Sequence, residues 1–205
     1  MLAAPRTDSP AEAVTFTLAD DGRQLQAVRL WQEVHLPGDQ LDLHREGDVW
    51  SVTVPRPAVD RMEYQFELTY ADGGHETICD PANPLRVGGA FGDHSVLEFA
   101  EYRRPAWLAV DLAAPGTYVD LDVAAEGVGQ DITGRLWSAP GLDDAAAAPL
   151  LVVHDGPEYD QFAGLTHYLG AMIDSATFPP LRAALLSPGP RDDWYAALGL
   201  SLIHI

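Results

Sequence analysis

Lysine is absent from this 205-residue chain: its twelve basic residues are all arginine, set against 31 Asp and Glu, for a formal net charge of −19 at pH 7. Acidity on this scale opposes non-specific attraction to nucleic acid or to anionic membranes, and neither is expected as a partner. A dispersed acidic surface also serves plain solubility. Cysteine is nearly absent. Cys79 stands alone, which excludes an intramolecular disulfide and leaves a buried structural thiol as its default reading. No apolar run approaches membrane-spanning length, and the start, Met1-Leu-Ala-Ala-Pro-Arg-Thr-Asp-Ser-Pro10, lacks the apolar centre of a signal peptide, so a cytoplasmic protein is expected. The seven histidines (His35, His44, His75, His94, His154, His167, His204) show no close metal-ligand spacing. Neither a metal nor another cofactor is expected.

What is present is a globular composition. A hydrophobic content of 47% over 205 residues can bury a real core and suits one large or two small domains. Residues 1–13 are Pro/Ala/polar and read as a disordered N-terminus. Short alternating runs follow: Val14 to Leu18, Leu25 to Trp31 and Val49 to Val54. Met62 to Tyr70 comes next, with Met62, Tyr64, Phe66, Leu68 and Tyr70 on one face. Asp72-Gly-Gly74 turns the last of these into Glu76 to Cys79, and Ser95 to Phe99 closes the series. Strands of this kind, separated by turn signals and uninterrupted by a helical stripe, predict an antiparallel β-sandwich over 14–104. Trp31 and Trp50 read as core residues, with stacking on sugar rings as the alternative.

Beyond Arg103-Arg-Pro-Ala-Trp107 the pattern changes. Thr117 to Val123 and Asp131 to Trp137 read as two strands around a Glu126-Gly-Val-Gly129 turn, and Ala139 to Pro149 reads as an exposed loop. Leu150 to Val153 is a continuous apolar run, as expected of a strand covered on both faces of a parallel sheet. His154-Asp-Gly-Pro157 breaks it. From Asp160, placed as N-cap, apolar residues recur at helical spacing through Phe162, Leu165, Leu169, Met172 and Ile173. Pro179-Pro180 stops the helix, and Leu181 to Leu186 reads as another buried strand. Strand, Gly-containing loop and helix form a turn that can aim backbone N–H groups at a reacting oxygen; it is equally the ordinary strand-to-helix turn of α/β proteins.

Several stretches together resemble a known family. Trp50, Met62-Glu-Tyr-Gln-Phe66, Asp80-Pro-Ala-Asn-Pro84, Gly88-Gly-Ala-Phe-Gly92, Ser95-Val-Leu97 and Pro105-Ala-Trp107 are similar to an immunoglobulin-like early-set sandwich. That module precedes the catalytic domain in enterochelin-esterase-like serine esterases. Leu151-Val-Val-His-Asp-Gly156, Pro179-Pro-Leu181 and Arg191-Asp-Asp-Trp-Tyr195 resemble the opening of the esterase domain. The resemblance implies a sandwich over 14–104 followed by an incomplete α/β-hydrolase domain over 105–197. It also implies a Ser nucleophile in a Gly-x-Ser-x-Gly elbow followed by an acid and a His. No such elbow occurs in these 205 residues, and no catalytic residue is expected within them.

By position in the resemblance, Asp155-Gly-Pro-Glu158 is the oxyanion loop. Pro157 has no N–H, so the donor would be Gly156, Glu158 or Tyr159, while Asp155 reads as a loop anchor. Arg191 would hold a substrate carbonyl or carboxylate by a forked hydrogen bond, or else pair with Asp192 or Asp193. Trp194 and Tyr195 would line an acyl pocket or simply pack.

The expected function is the N-terminal fragment of a serine carboxylic-ester hydrolase, inactive as it stands. The alternative is a non-catalytic sandwich that binds a glycan or a protein partner. A chain at −19 would repel a polyanionic ferric catecholate unless its arginines converge, so a small or uncharged ester is the expected substrate. The closing run, Leu198-Gly-Leu-Ser-Leu-Ile-His-Ile205, is read as foreign to the domain, from a frame change or an assembly error. A native chain completed by a partner is the other reading. The first predicts a poorly packed 198–205 and a partly uncovered face on the 181–186 strand.

Overall fold

Alternating apolar residues need a partner layer, and in the first half of the chain each sheet supplies it for the other. The structure, a computed structural model, describes residues 13–34, 36–124 and 131–189. The 1–12 segment, His35, the 126–129 turn, Arg191, Trp194, Tyr195 and the 198–205 run lie outside the described residues. Two compact units divide the chain, Met1–Arg103 and Arg104–Ile205.

In the first unit, β1 (Ala13–Ala19), β3 (His44–Glu46) and β4 (Val49–Pro55) form an antiparallel sheet in the order β1-β4-β3. A second sheet comprises β2 (Leu25–Gln32), β5 (Arg61–Tyr70), β6 (His75–Ile78), β7 (Arg86–Val87) and β8 (His94–Glu98). Its order is β2-β5-β8-β7, with β6 pairing the distal half of β5. The alternation of β5 translates directly into burial, with Met62, Tyr64, Phe66 and Leu68 inside. They pack with Phe16, Trp50 and Val54 of the facing sheet in one core. Phe16 and Phe66 each set an edge against Tyr64, at centroid distances of 4.8 and 6.0 Å.

One polar cluster lies inside this unit, and every member of it is hydrogen-bonded. The Tyr64 hydroxyl donates to Asp80 Oδ2 (2.7 Å) and accepts from Asn83 Nδ2 (3.1 Å), which also donates to the Val96 carbonyl (2.8 Å). The Asp80 N–H donates to Ser95 Oγ (2.8 Å), and Asp80 Oδ1 accepts the Ala82 N–H (2.8 Å). Burial and the adjacent Asp80 carboxylate push the Tyr64 phenol far above its ordinary pKa, so it remains a donor. The Asp80-Pro-Ala-Asn-Pro84 stretch is thus a turn pinned by two buried polar side chains, Asp80 and Asn83, through bonds to β5 and β8.

Two expectations for this unit are corrected. Trp31 is half-buried on the outer face of its sheet, its ring centroid 5.0 Å from the His94 imidazole, while Trp50 is in the core. Cys79 is also half-buried, its thiol donating to the Asp93 carbonyl (3.0 Å), because β6 runs along an edge rather than through the core.

The second unit has a four-stranded sheet of β9 (Thr117–Val123), β10 (Ile132–Ser138), β11 (Leu150–Val153) and β12 (Arg182–Leu186), in the order β11-β12-β10-β9. β11 and β12 are parallel, joined through α1 (Gly156–Ala163) and α2 (Leu165–Asp174); the other pairings are antiparallel. On one face Trp137, Ala183 and Leu185 are buried with Leu169 of α2. The register gathers Val119, Val123, Leu150 and Val152 on the other face, and these are 63%, 47%, 59% and 51% exposed. β11 is therefore not covered on both faces as its apolar run predicts: it lies at an edge of the described sheet, with helices on one side. The strand predicted to be uncovered, β12, lies between two neighbours with Ala183, Ala184 and Leu185 buried. The loop before β11 is pinned by Arg182, whose guanidinium donates to the carbonyls of Asp143, Asp144 and Ala146.

Candidate functional site

The carboxyl end of β11 runs directly into a helix, and two residues make that turn sharp. Asp155 adopts left-handed backbone angles (φ 54°, ψ 33°) at the N-cap of α1. Such a conformation is uncommon outside glycine but is tolerated by Asp and Asn. Gly156 follows, buried, with its Cα pressed on β12; a Cβ there would overlap the backbone of Leu185. Only glycine allows the helix to start this close to the sheet. Pro157, in the first turn, suits a position where an N–H has no intrahelical acceptor. The helix therefore begins at Gly156, with Asp155 rather than Asp160 as its N-cap.

The first-turn N–H groups of an α-helix point out of its end, where the helix dipole favours negative charge. The Tyr159 N–H is already engaged, donating to the Asp155 carbonyl at 3.1 Å as the first bond of the helix. Gly156 and Glu158 are the other first-turn donors. Both lie at the carboxyl edge of the parallel β11–β12 pair, the edge at which open α/β sheets bind ligands. The Tyr159 side chain is 55% exposed, and His154 is exposed in the turn.

Asp160 lies inside the first helix rather than at its N-cap, and its carboxylate serves the first turn of the second, whose N-cap is Gly164. Gly164, left-handed at φ 64°, separates α1 from α2. The Asp160 carbonyl accepts the Gly164 N–H (3.1 Å), closing α1, and Asp160 Oδ1 accepts the Thr166 N–H (3.0 Å) and hydroxyl, opening α2. Oδ2 accepts the Tyr118 hydroxyl of β9 (3.0 Å), which also lies 2.9 Å from Thr166 Oγ1. Burial raises the Tyr118 phenol above its ordinary pKa, with Asp160 adding to the shift and Thr166 opposing it, and the Arg135 guanidinium lies 4.1 Å over its ring. Tyr118 and Asp160 are 42 positions apart, and no local pattern signals their meeting.

Among the described residues, no group of three His, Cys, Asp or Glu is placed to hold a metal ion, and no helix is long and apolar enough to cross a membrane. Two open clefts of about 500 and 450 Å³ lie on the first unit, one lined by Asp21, Asp48 and Asp80, the other by Arg29, Asp42 and Glu67. Neither includes a residue of the β11–α1 turn.

Neither a family model nor a curated protein matches the sequence. Solved structures do. The enterobactin esterase of Shigella flexneri, crystallised in the presence of enterobactin, aligns at 19% identity with a TM-score of 0.64, over 89% of this chain and 55% of that one. In the presence of 2,3-dihydroxy-N-benzoyl-serine, that esterase aligns at 18% identity and a TM-score of 0.64, over 97% of this chain and 61% of its own. The ferric enterobactin esterase of Salmonella typhimurium aligns at 16% identity and a TM-score of 0.66, over 90% of this chain and 55% of that one. The chain has an enterochelin-esterase-like fold, and it spans little more than half the length of these structures.

Proposed function

We propose that this chain is the first part of a serine carboxylic-ester hydrolase, with the turn from β11 into α1 as its oxyanion loop. The observation that carries the reading is the close seat of α1 on Leu185 at Gly156, which aims a helix N-terminus across the sheet edge, in a chain with this fold. Pro157 has no N–H and that of Tyr159 closes the helix, so Gly156 and Glu158 are assigned as donors to the developing oxyanion. Asp155 anchors the turn. Arg191 and Trp194 are assigned to the substrate, the guanidinium as a fork on its carbonyl or carboxylate and the indole against its acyl group.

One such donor is worth roughly 3–4 kcal/mol of transition-state stabilisation, and only where a nucleophile is in place. The 205 residues contain no Gly-x-Ser-x-Gly, so the acyl-transfer step belongs to polypeptide beyond them. The chain alone is expected to leave p-nitrophenyl acetate unhydrolysed, while the same locus read further downstream yields a product that hydrolyses it and is labelled by a serine-directed fluorophosphonate. An extended product with neither property overturns the reading. For the substrate we propose a small or uncharged ester, on the grounds of the −19 charge. Tight binding of a ferric catecholate that weakens steeply with salt would overturn that choice.

A second reading, a sandwich that binds a glycan or a protein, draws on Trp31, which lies on an outer sheet face beside His94 rather than in the core. Retention on an immobilised polysaccharide that is lost in Trp31→Ala would favour it.

A further inference from the structure

We infer that the Asp160–Tyr118–Thr166 clasp sets the position of the first turn of α1, which makes Asp160 and Tyr118 positioning residues for the oxyanion loop; the catalytic part of this inference rests on the esterase reading above. Gly156 and Asp160 are four residues apart and so share one face of α1. At Gly156 that face presses on Leu185 of β12. One turn further on, it is tied by Asp160 Oδ2 to the Tyr118 hydroxyl on β9 (3.0 Å). Two anchors, on strands at different places in the sheet, fix both the distance of the helix and its rotation about its own axis. With the Gly156 contact alone α1 can roll, and a roll swings every first-turn N–H.

The clasp is built for stiffness. The Asp160 carboxylate is held from α2 as well, through the Thr166 N–H (3.0 Å) and hydroxyl, so the tie to β9 cannot slacken unless the α1–α2 junction opens. Thr166 is buried, and the Tyr118 ring is held under the Arg135 guanidinium at 4.1 Å. The Tyr118 phenol, protonated at neutral pH like any phenol, donates to Asp160 Oδ2. Misplacement of reacting groups by even about 1 Å can cost a hundredfold in rate, so a tether of this kind bears on chemistry it does not touch.

The test uses the chain as it is and the same chain extended downstream. In Tyr118→Phe, which removes one oxygen and keeps the ring, amide exchange at Tyr159, whose N–H makes the first bond of α1, is expected to accelerate about tenfold, with Leu169 to Asp174 and the sandwich unchanged. Asp160→Asn should do the same, and Thr166→Ser, which keeps both donors, should leave exchange as it was. Unchanged exchange in the first two variants overturns the inference, and so does equal acceleration throughout the second unit, which would mark the clasp as merely structural. In the extended polypeptide, Tyr118→Phe should lower kcat for p-nitrophenyl acetate about tenfold at unchanged KM; an unchanged kcat overturns the positioning role. If the unsubstituted extended product does not hydrolyse the ester, the esterase reading fails, and the clasp stands or falls on amide exchange.

Discussion

The two units use β-structure differently. In the first, two sheets face each other, and the alternate residues of β1, β4, β2 and β5 meet in one core that holds Phe16, Trp50, Tyr64 and Phe66. In the second, helices cover one face of a single sheet, while the other face carries Val119, Val123, Leu150 and Val152 in the open. Apolar sequence is therefore used differently in the two: inward side chains of the sandwich meet a facing sheet, whereas among the described residues the second face of the other sheet leaves Val119, Val123, Leu150 and Val152 exposed. Stability in the first unit resides in the interior. In the second the buried cluster of Trp137, Leu169, Ala183 and Leu185 lies on the helical side.

The largest expected effect probes the sandwich interior. Phe66→Ala removes a fully buried ring and should cost about 3–5 kcal/mol, read as a shift of the first unit's denaturant transition with second-unit amide protection unchanged. A loss shared by both units would contradict their separation. Next comes the close contact of the second unit. Gly156→Ala forces α1 away from Leu185 and should cost about 1–3 kcal/mol, confined to amides of β11, α1 and β12.

A third outcome depends on pH and should separate the units again. The Tyr64 pKa is raised in the folded state, so above the ordinary phenol value of 10.0 the unfolded chain releases a proton that the folded chain keeps. Stability is complete below that pH and falls as pH rises through it, by about 1.4 kcal/mol per unit. Denaturant midpoints between pH 9 and 11 should show this slope in the sandwich, and Tyr64→Phe should flatten it at a lower starting stability. The smallest effect is the sharpest contrast. Val152→Thr on the open face should change stability by no more than about 0.5 kcal/mol. The same change at fully buried Val54 strands a hydroxyl and should cost about 1–3 kcal/mol.

Where neighbours in sequence decide the structure, the sequence is legible. The β5 alternation, the Asp72-Gly-Gly74 turn and the apolar strand leading into a Gly-containing loop and helix all appear in the fold. Where distant residues decide, it is not. The Leu150 to Val153 run records that β11 is apolar but not that it lies at an edge of the described sheet, since that depends on which distant strands pair with it, here β12 among the described residues. Asp160 reads as a helix-capping carboxylate, and it accepts a first-turn N–H, but that of α2, because the start of α1 is set by Gly156 meeting a strand 29 positions later. Trp31 reads as core by residue type, although the alternation of Val28 and Leu30 already sets it on the outer side of β2, where it meets His94.

The buried cluster around Tyr64 also has a consequence for inheritance. Val, Leu and Ile replace one another in a core at modest cost, so apolar identities can drift while the fold persists. Tyr64, Asp80, Asn83 and Ser95 cannot drift singly. Loss of any one leaves another buried polar group without its bond, at about 1–3 kcal/mol, a large share of a domain's whole stability. Between descendants of this fold, the four positions should therefore behave as a single hereditary character, kept whole or replaced together, when little else in the sandwich can still be aligned.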